Sequence, residues 1–312
     1  MASQKYVKLD PREHVLTRPG MYIGSLECDD VNTWVFENDE MIYRTISYSS
    51  GLYKIYDEIL VNVLDHVIRC TDTDRPVKEI KVNILDDGTI EVFNSGMGIE
   101  IEKHTTHEVY IPELIFGNML TSTNYDDTEE RTIGGQNGIG AKACNIYSSS
   151  FIVETVDHKR KLVYKQEFTN NMSDKTEPSI TKYTRVPYTK ISFKPDYKRF
   201  NMASLSNDMK AMMRKRVYDM CALTPVDTKL FFNDTKLECK TFDNYVSLYI
   251  GTKSERPRII SNDTLGRWDI CISSSEDGFR QISFVNGIYT MKGGKHVEYV
   301  TNQLTKKLSE MI

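Results

Sequence analysis

Apolar residues between Leu52 and Arg69 recur at the spacing of an α-helix. At ~100° per residue, one side of such a helix collects six apolar side chains: Leu52, Tyr56, Leu60, Val63, Leu64 and Val67. Within a sector of about 60° on the opposite side lie four polar ones: Glu58, Asn62, Asp65 and Arg69. The pattern predicts an amphipathic helix whose polar stripe is either solvated or directed at a ligand.

An alternation of apolar and polar residues follows this helix. Lys78–Leu85 and Thr89–Phe93 alternate in this way and are separated by Asp86-Asp87-Gly88, which predicts a β-hairpin with an Asp-Gly turn. Asn94-Ser95-Gly96-Met97-Gly98 comes directly afterwards. Glycines at a strand end let the backbone approach a ligand closely, and an ordinary turn is the alternative.

The second half of the chain is richer in predicted strands. Strands are predicted at 151–156, 161–168, 189–194, 269–273 and 280–286, with a hairpin over 226–242. A helix over 204–222 carries a methionine stripe, which predicts core packing. Its four basic residues predict a solvated face rather than a nucleic-acid patch: Lys210, Arg214, Lys215 and Arg216. The change of pattern near residue 240 predicts a domain boundary.

Composition places the chain in the ordinary globular class. Of its 312 residues, 39% are hydrophobic and 27% charged, enough for one large domain or two moderate ones. The net charge of −4 gives no global attraction to nucleic acid, so a DNA contact would need a local patch or a larger assembly. There is no N-terminal signal segment and no run of ~20 apolar residues, so neither export nor membrane insertion is expected.

The metal-binding residue types are scattered. The six cysteines contain no Cys-x-x-Cys pair, which argues against a zinc site or a disulfide framework and favours reduced intracellular thiols. His104 and His107 have helical metal spacing, but no third ligand is near them in the sequence. No metal site is therefore predicted at these histidines.

Four glycines lie within seven residues in the stretch Gly134 to Lys142. Glycine lets several backbone N–H groups converge on phosphate oxygens, and the lysine adds a charge, so the stretch predicts a phosphate cradle. A flexible surface loop is the alternative. No Gly-Lys-Ser/Thr follows, which excludes a Walker A loop, and the charged residues 126–131 stand where a dinucleotide site needs a strand. The polar residues 121–127 before the cradle predict a lid.

Three of these segments resemble the N, G1 and G2 boxes of the GHKL ATPases in order and kind: Glu58-x-x-x-Asn62, Asn94-x-Gly96-x-Gly98 and Gly134–Lys142. The chain is more closely similar to the ATPase end of eukaryotic-type type IIA DNA topoisomerases, including those of large DNA viruses. The similar segments span nearly the whole chain: 18–24, 56–62, 112–117, 121–127, 134–148, 283–287 and 292–296. This distinguishes it from GHKL chaperones, mismatch-repair ATPases and histidine kinases.

The resemblance implies an α/β fold. Residues 25–240 would form a GHKL (Bergerat) sandwich of helices over a mixed, mostly antiparallel sheet. Residues 241–312 would form the first part of a transducer domain of the ribosomal-S5 type. Residues 1–24 would be an N-terminal arm that exchanges between protomers.

The resemblance also implies the site. Glu58 would be the general base on the water that attacks the γ-phosphate of ATP, and Asn62 would give its amide oxygen to Mg²⁺. Asn94 would accept a hydrogen bond from the adenine amino group. The other implied nucleotide contacts are Asp65, His66, Gly96, Gly98, Ser122, Thr123, Asn124, Gln136, Asn137, Gly138, Ile139, Gly140, Ala141 and Lys142.

Three departures from the family pattern are visible. Gln136 stands where close relatives carry Arg, which removes a charge-assisted phosphate contact. His66 replaces an Asn that reaches the nucleotide. The chain stops at Ile312, before the family's Gln-Thr-Lys switch loop, so an N-terminal fragment of a longer enzyme is expected.

The function implied is ATP binding and hydrolysis that closes the N-gate of a homodimer, so that the full-length enzyme passes one DNA duplex through another. A nucleotide-gated dimerisation module with little hydrolysis is the alternative. A weaker alternative is DNA binding by this chain itself, through residues 210–216 or 292–296. The expected location is intracellular, in the nucleus or at a cytoplasmic viral replication site.

Overall fold

Helices and strands are both distributed along the part of the chain that the computed structural model describes, residues 8–119, 121, 133–135, 138–262, 266–275 and 278–311. Within these ranges the helices are α1 (Pro11–Thr17), α2 (Pro19–Tyr22), α3 (Ser50–Cys70), α4 (Ile111–Gly117), α5 (Gly140–Ile146), α6 (Asn207–Asp219), α7 (Phe242–Ile250) and α8 (Lys295–Met311). The strands of the first half are β1 (Cys28–Glu37), β2 (Glu40–Ser49), β3 (Glu79–Ile84), β4 (Ile90–Ser95), β5 (Ser148–Asp157), β6 (Leu162–Thr169) and β7 (Asp174–Lys175). The remaining strands are β8 (Ser179–Lys182), β9 (Tyr188–Pro195), β10 (Lys229–Phe232), β11 (Thr235–Lys236), β12 (Arg258–Asn262), β13 (Asp269–Ser273), β14 (Phe284–Val285) and β15 (Ile288–Tyr289).

A nine-stranded sheet lies at the centre, in the order β11-β10-β3-β4-β9-β5-β6-β7 with β8 beside β6. Its strands pair antiparallel except β10 and β3, which run parallel with Lys229 opposite Glu79. The predicted hairpin β3–β4 is present, with Ile84 opposite Ile90. The sheet is therefore mixed and mostly antiparallel, as predicted.

The helix α3 joins this sheet in the main core. The Ser49 hydroxyl caps it by accepting from the backbone N–H of Leu52 at 3.3 Å, which satisfies one of the free donors of the first turn. All six apolar residues predicted on one side are buried, in one cluster with residues of β3, β4 and β5. Since each large apolar side chain contributes about 1.5–3 kcal/mol when buried, this packing fixes which face of α3 turns away from the core.

The helix α6 confirms one prediction and corrects another. Three methionines of α6 and Met220, directly after it, are at most 1% exposed, as core packing requires: Met209, Met212, Met213 and Met220. Lys215 and Arg216, predicted on a solvated face, are 1% and 0% exposed. That prediction was wrong for these two because each has a buried carboxylate partner, Asp219 and Asp57, and charges can be buried when paired. Residues 210–216 thus form no contiguous basic patch for DNA.

The described part of the N-terminal arm, from residue 8, docks on its own chain. Val15 is buried, and its carbonyl accepts from Tyr147 Oη at 2.8 Å. Arg12 Nε donates to the carbonyl of Asn171 at 2.6 Å. Exchange of the arm between protomers stays a prediction.

The C-terminal part contains α7, the hairpins β12–β13 and β14–β15, and α8. The strand predicted at 280–286 is present only as Phe284–Val285. No residue of the described helix α8 is buried. Within the described ranges, no helix has the length and apolar character needed to cross a membrane.

Candidate active site

The polar stripe of α3 is not simply solvated. Asp65 is only 2% exposed, the Glu58 side chain is 20% exposed, and Asn62 is half-buried. The three residues are spaced four and then three apart, so they lie above one another on one helical face. That face meets both glycine segments of the chain.

Glu58 lies against the start of α5. A Cβ on Gly140 would overlap with Glu58 Oε2, so only glycine allows this approach. Lys54, one turn earlier on α3, forms an ion pair with Glu58. The carboxylate is therefore held beside the glycine-rich stretch while part of it still reaches solvent.

Asp65 contacts the beginning of the same stretch. Its Oδ1 accepts from the backbone N–H of Gly134 at 2.8 Å, and its Oδ2 accepts from that of Gly135 at 2.9 Å. Burial raises the pKa of Asp65, while the two N–H donors and Arg69 act in the opposite direction. The loop start is thereby bound to α3.

Lys142 lies in the first turn of α5 and is 3% exposed. Its Nζ donates to the carbonyls of Thr121 and Gly138, each at 2.6 Å. Within the described ranges it has no carboxylate partner, and burial lowers its pKa to about 8. A buried ammonium whose partners among the described residues are neutral carbonyls is a strong site for an added anion.

The segment after β4 forms the other side of the site. Gly96 and Gly98 have φ of +128° and +72°, which side chains other than glycine's rarely adopt. A Cβ on Gly96 would lie 2.7 Å from His66 Nε2, and one on Gly98 would overlap with the carbonyl of Val156. Asn94, which precedes them, is 4% exposed and donates through Nδ2 to the carbonyl of Ser95 at 3.0 Å.

His66, on α3, packs against this segment. Its Nε2 lies 3.3 Å from Cys70 Sγ, and burial lowers its pKa to about 4, with Arg69 adding to the effect. The imidazole is therefore neutral near pH 7, which supports a packing role rather than proton transfer. One helix, α3, thus touches Gly134–Gly135, Gly140 and Gly96 through three different side chains.

Several predicted contacts cannot be placed. Five of them lie outside the described residues: Ser122, Thr123, Asn124, Gln136 and Asn137. Ile139 is half-buried against the core, and Ala141 is 9% exposed. The role of Asn62 as a metal ligand stays a prediction.

His104 and His107 have rings 4.9 Å apart, and the described residues contain no group of three metal-ligating side chains.

Two contacts of the site were missed from the sequence. Lys54 pairs with Glu58 at a spacing of four residues, a helical signal that was readable in advance. The carbonyl of Thr121 accepts from Lys142. That contact could not be predicted from the sequence, because every residue carries a backbone carbonyl whatever its type.

Comparison with solved structures gives the same fold. The ATPase region of Saccharomyces cerevisiae topoisomerase II is 44% identical, with a TM-score of 0.92 covering 100% of this chain and 82% of that one. The ATPase and transducer domains of DNA topoisomerase II from Balamuthia mandrillaris are 42% identical, with a TM-score of 0.89 covering 97% and 77%. The predicted α/β fold is thereby confirmed.

Curated sequences agree with the structures. DNA topoisomerase 2 of Meyerozyma guilliermondii is 44% identical over 100% of this chain and 23% of its own length, and that of Pisum sativum is 47% identical over 97% and 21%. The family described as DNA gyrase B matches residues 232–312. The chain thus spans less than a quarter of these two curated relatives.

Proposed function

The chain belongs to the topoisomerase II family, as a counterpart of its ATPase region, and on this premise we propose that it binds and hydrolyses ATP to close the gate of a DNA topoisomerase. The observation that carries the proposal is the position of Glu58. One helix brings this carboxylate against Gly140, at the start of the helix that holds Lys142. A carboxylate that is 20% exposed and held beside a phosphate-binding loop is suited to take a proton from an attacking water.

The residues at the site fit Mg·ATP. Gly140 and Gly98 pack so closely that a Cβ would overlap with Glu58 or with the carbonyl of Val156, which brings bare backbone to the site. Lys142 offers a buried charge to the phosphates. Asn62 offers an amide oxygen, a hard donor of the kind Mg²⁺ takes together with phosphate oxygens and waters. Bound Mg²⁺ would neutralise charge on the phosphates. Asn94, Gly96 and Gly98 would bind the adenine end, with His66 packed behind them.

The remaining nucleotide contacts belong to the same proposal. Ser122, Thr123 and Asn124 would contact the ribose and phosphates, and Gln136 and Asn137 would continue the triphosphate loop. ATP binding would close a homodimer, and the full-length enzyme would use that closure in DNA strand passage inside the cell. The family membership supports each of these steps.

Glu58→Ala tests the central role. Single-turnover hydrolysis should fall by roughly 10²–10⁴, while binding of a non-hydrolysable ATP analogue persists. Glu91→Ala is a matched control, because Glu91 pairs with Lys190 on the central sheet and should leave the rate unchanged. Hydrolysis by Glu58→Ala at the unaltered rate would exclude Glu58 as the base.

Sedimentation with the same analogue tests dimer closure in the unaltered chain. A shift to a dimer together with hydrolysis supports the full proposal. A dimer without hydrolysis would support the nucleotide-gated dimerisation module in its place.

A further inference from the structure

Asp65 engages the glycine loop with both carboxylate oxygens. Each oxygen accepts one of two successive backbone N–H groups, Gly134 at 2.8 Å and Gly135 at 2.9 Å. The carboxylate is 2% exposed, so water does not compete for these bonds. Hydrogen bonds to a charged acceptor are stronger than neutral ones, and a buried carboxylate depends on them.

Gly134 is also enclosed from the other side. A Cβ there would lie 2.8 Å from the carbonyl oxygen of Asn286 and 2.9 Å from Val61 Cγ1. The start of the loop is thus set between α3 and the turn that joins β14 to β15. Its position is determined by packing and by Asp65 together.

These contacts leave Asp65 poorly suited to touch a nucleotide. Both of its oxygens are used by the loop backbone, and a carboxylate placed directly on a triphosphate would be repelled by it. Its effect on a phosphate ligand would therefore pass through the loop.

We propose that Asp65 is a positioning residue that fixes Gly134 and Gly135, at the start of the glycine loop, onto α3, which also carries Glu58. Glu58 lies against Gly140, at the far end of the loop. The two carboxylates are seven residues apart, roughly 10 Å along the helix axis. One rigid helix therefore sets both the loop that would bind the triphosphate and the base that would act on it. The catalytic part of this inference rests on the function proposed above, whereas the loop anchoring does not.

Amide hydrogen exchange of the nucleotide-free full chain tests the anchoring. In the unaltered chain, the amides of Gly134 and Gly135 should be protected from exchange. Fast exchange at both would overturn the proposal without any variant. In Asp65→Asn, one acceptor oxygen is replaced by an NH2 group that faces a donor, so exchange over 133–146 should rise roughly 10- to 100-fold.

Asp208→Asn is the matched control. The Asp208 carboxylate, on α6, also accepts a hydrogen bond from a backbone N–H of another element, that of Ser47 on β2, at 2.9 Å. This contact lies outside the glycine loop. The variant should leave exchange at 133–146 unchanged. An Asp65→Asn variant with unaltered loop exchange, or with exchange raised equally across the whole chain, would overturn the anchoring role.

Nucleotide measurements then test positioning for the reaction. Asp65→Asn should weaken binding of the ATP analogue about tenfold and lower the hydrolysis rate about tenfold, whereas Glu58→Gln should lower only the rate. Asp65→Asn with faster loop exchange but unchanged binding and rate would overturn the positioning role. Absence of hydrolysis in the unaltered chain would overturn the proposed function and leave the exchange result intact, so the two failures are distinguishable.

Discussion

Arg216 and Asp57 form an ion pair that is almost entirely withdrawn from water, with side-chain exposures of 0% and 7% and an Nε to Oδ1 distance of 2.5 Å. Arg216 Nη2 also donates to the carbonyl of Gly287 at 2.7 Å. Because Asp57 precedes Glu58 in α3, this arginine connects the segment that holds the proposed base with α6 and with the β14–β15 turn. The pair is a structural support directly behind the site.

Removal of one partner of this pair should be costly. Arg216→Met leaves Asp57 charged, buried and unpaired, and we expect a loss of about 3–5 kcal/mol in the free energy of unfolding. Urea denaturation measures it. The double variant Asp57→Asn, Arg216→Met should recover part of the loss, because it removes the unpaired charge. A loss below about 1 kcal/mol in the single variant would contradict this account.

Gly140→Ala should lower the rate of hydrolysis by moving Glu58. The added Cβ would overlap with Glu58 Oε2 and displace the carboxylate, so single-turnover hydrolysis should fall at least about 100-fold. Gly20→Ala is the control, because no atom of the described residues lies within 4 Å of a Cβ at that position. Unchanged hydrolysis by Gly140→Ala would show that the position of Glu58 in this structure does not govern the rate.

Lys142 predicts a pH dependence of nucleotide affinity. Burial lowers its pKa to about 8, and a bound triphosphate favours the charged form, so its pKa rises on binding. The contribution of Lys142 to ATP affinity should therefore be nearly constant well below pH 8 and fall as the pH rises through and above it, with net proton uptake on binding in that range. Calorimetry in buffers of different ionisation enthalpy measures the uptake. Lys142→Met should bind more weakly and lose this pH-dependent step.

His66 predicts a loss of stability in acid. Burial lowers its folded-state pKa from the ordinary 6.5 to about 4, so between these values the unfolded chain binds a proton that the folded chain does not. Stability should fall as the pH drops through this window, by about 3 kcal/mol in total from this group. His66→Asn should remove that part of the pH dependence of unfolding, whereas His107→Asn, at an exposed imidazole, should not. Identical pH profiles for His66→Asn and the unaltered chain would contradict the assignment.

Local patterns predicted the elements that carry the site. The 3.6-residue period of α3 and the alternation of β3 and β4 show which face of each element is buried, because buried positions carry apolar residues. The β1–β2 hairpin was not predicted, although Asn38 and Asp39, with φ of 49° and 63°, are turn residues of the kind that tight hairpins require. The strand β1 is largely exposed in its first half, so it lacks a clear alternation.

Long-range pairs account for what the sequence could not show. Arg216 looks like a surface residue in the sequence, because its partner Asp57 lies on a helix far earlier in the chain. The bond from Gly134 to Asp65 likewise joins positions that no local pattern relates. The partner of Lys215 is only four residues away, at Asp219, so that pair has a local helical signal. Family resemblance supplied the nature of the site, whereas the contacts that hold its parts in place were visible only in the folded chain.

The parallel pairing of β10 with β3 has a consequence for how the molecule is assembled. β3 is available early in the chain, but its outer edge stays open until Lys229–Phe232 arrives after α6. Pairings between such distant segments form slowly, and an open strand edge invites association with other chains. Expression of a segment that ends before Lys229 should therefore give aggregates.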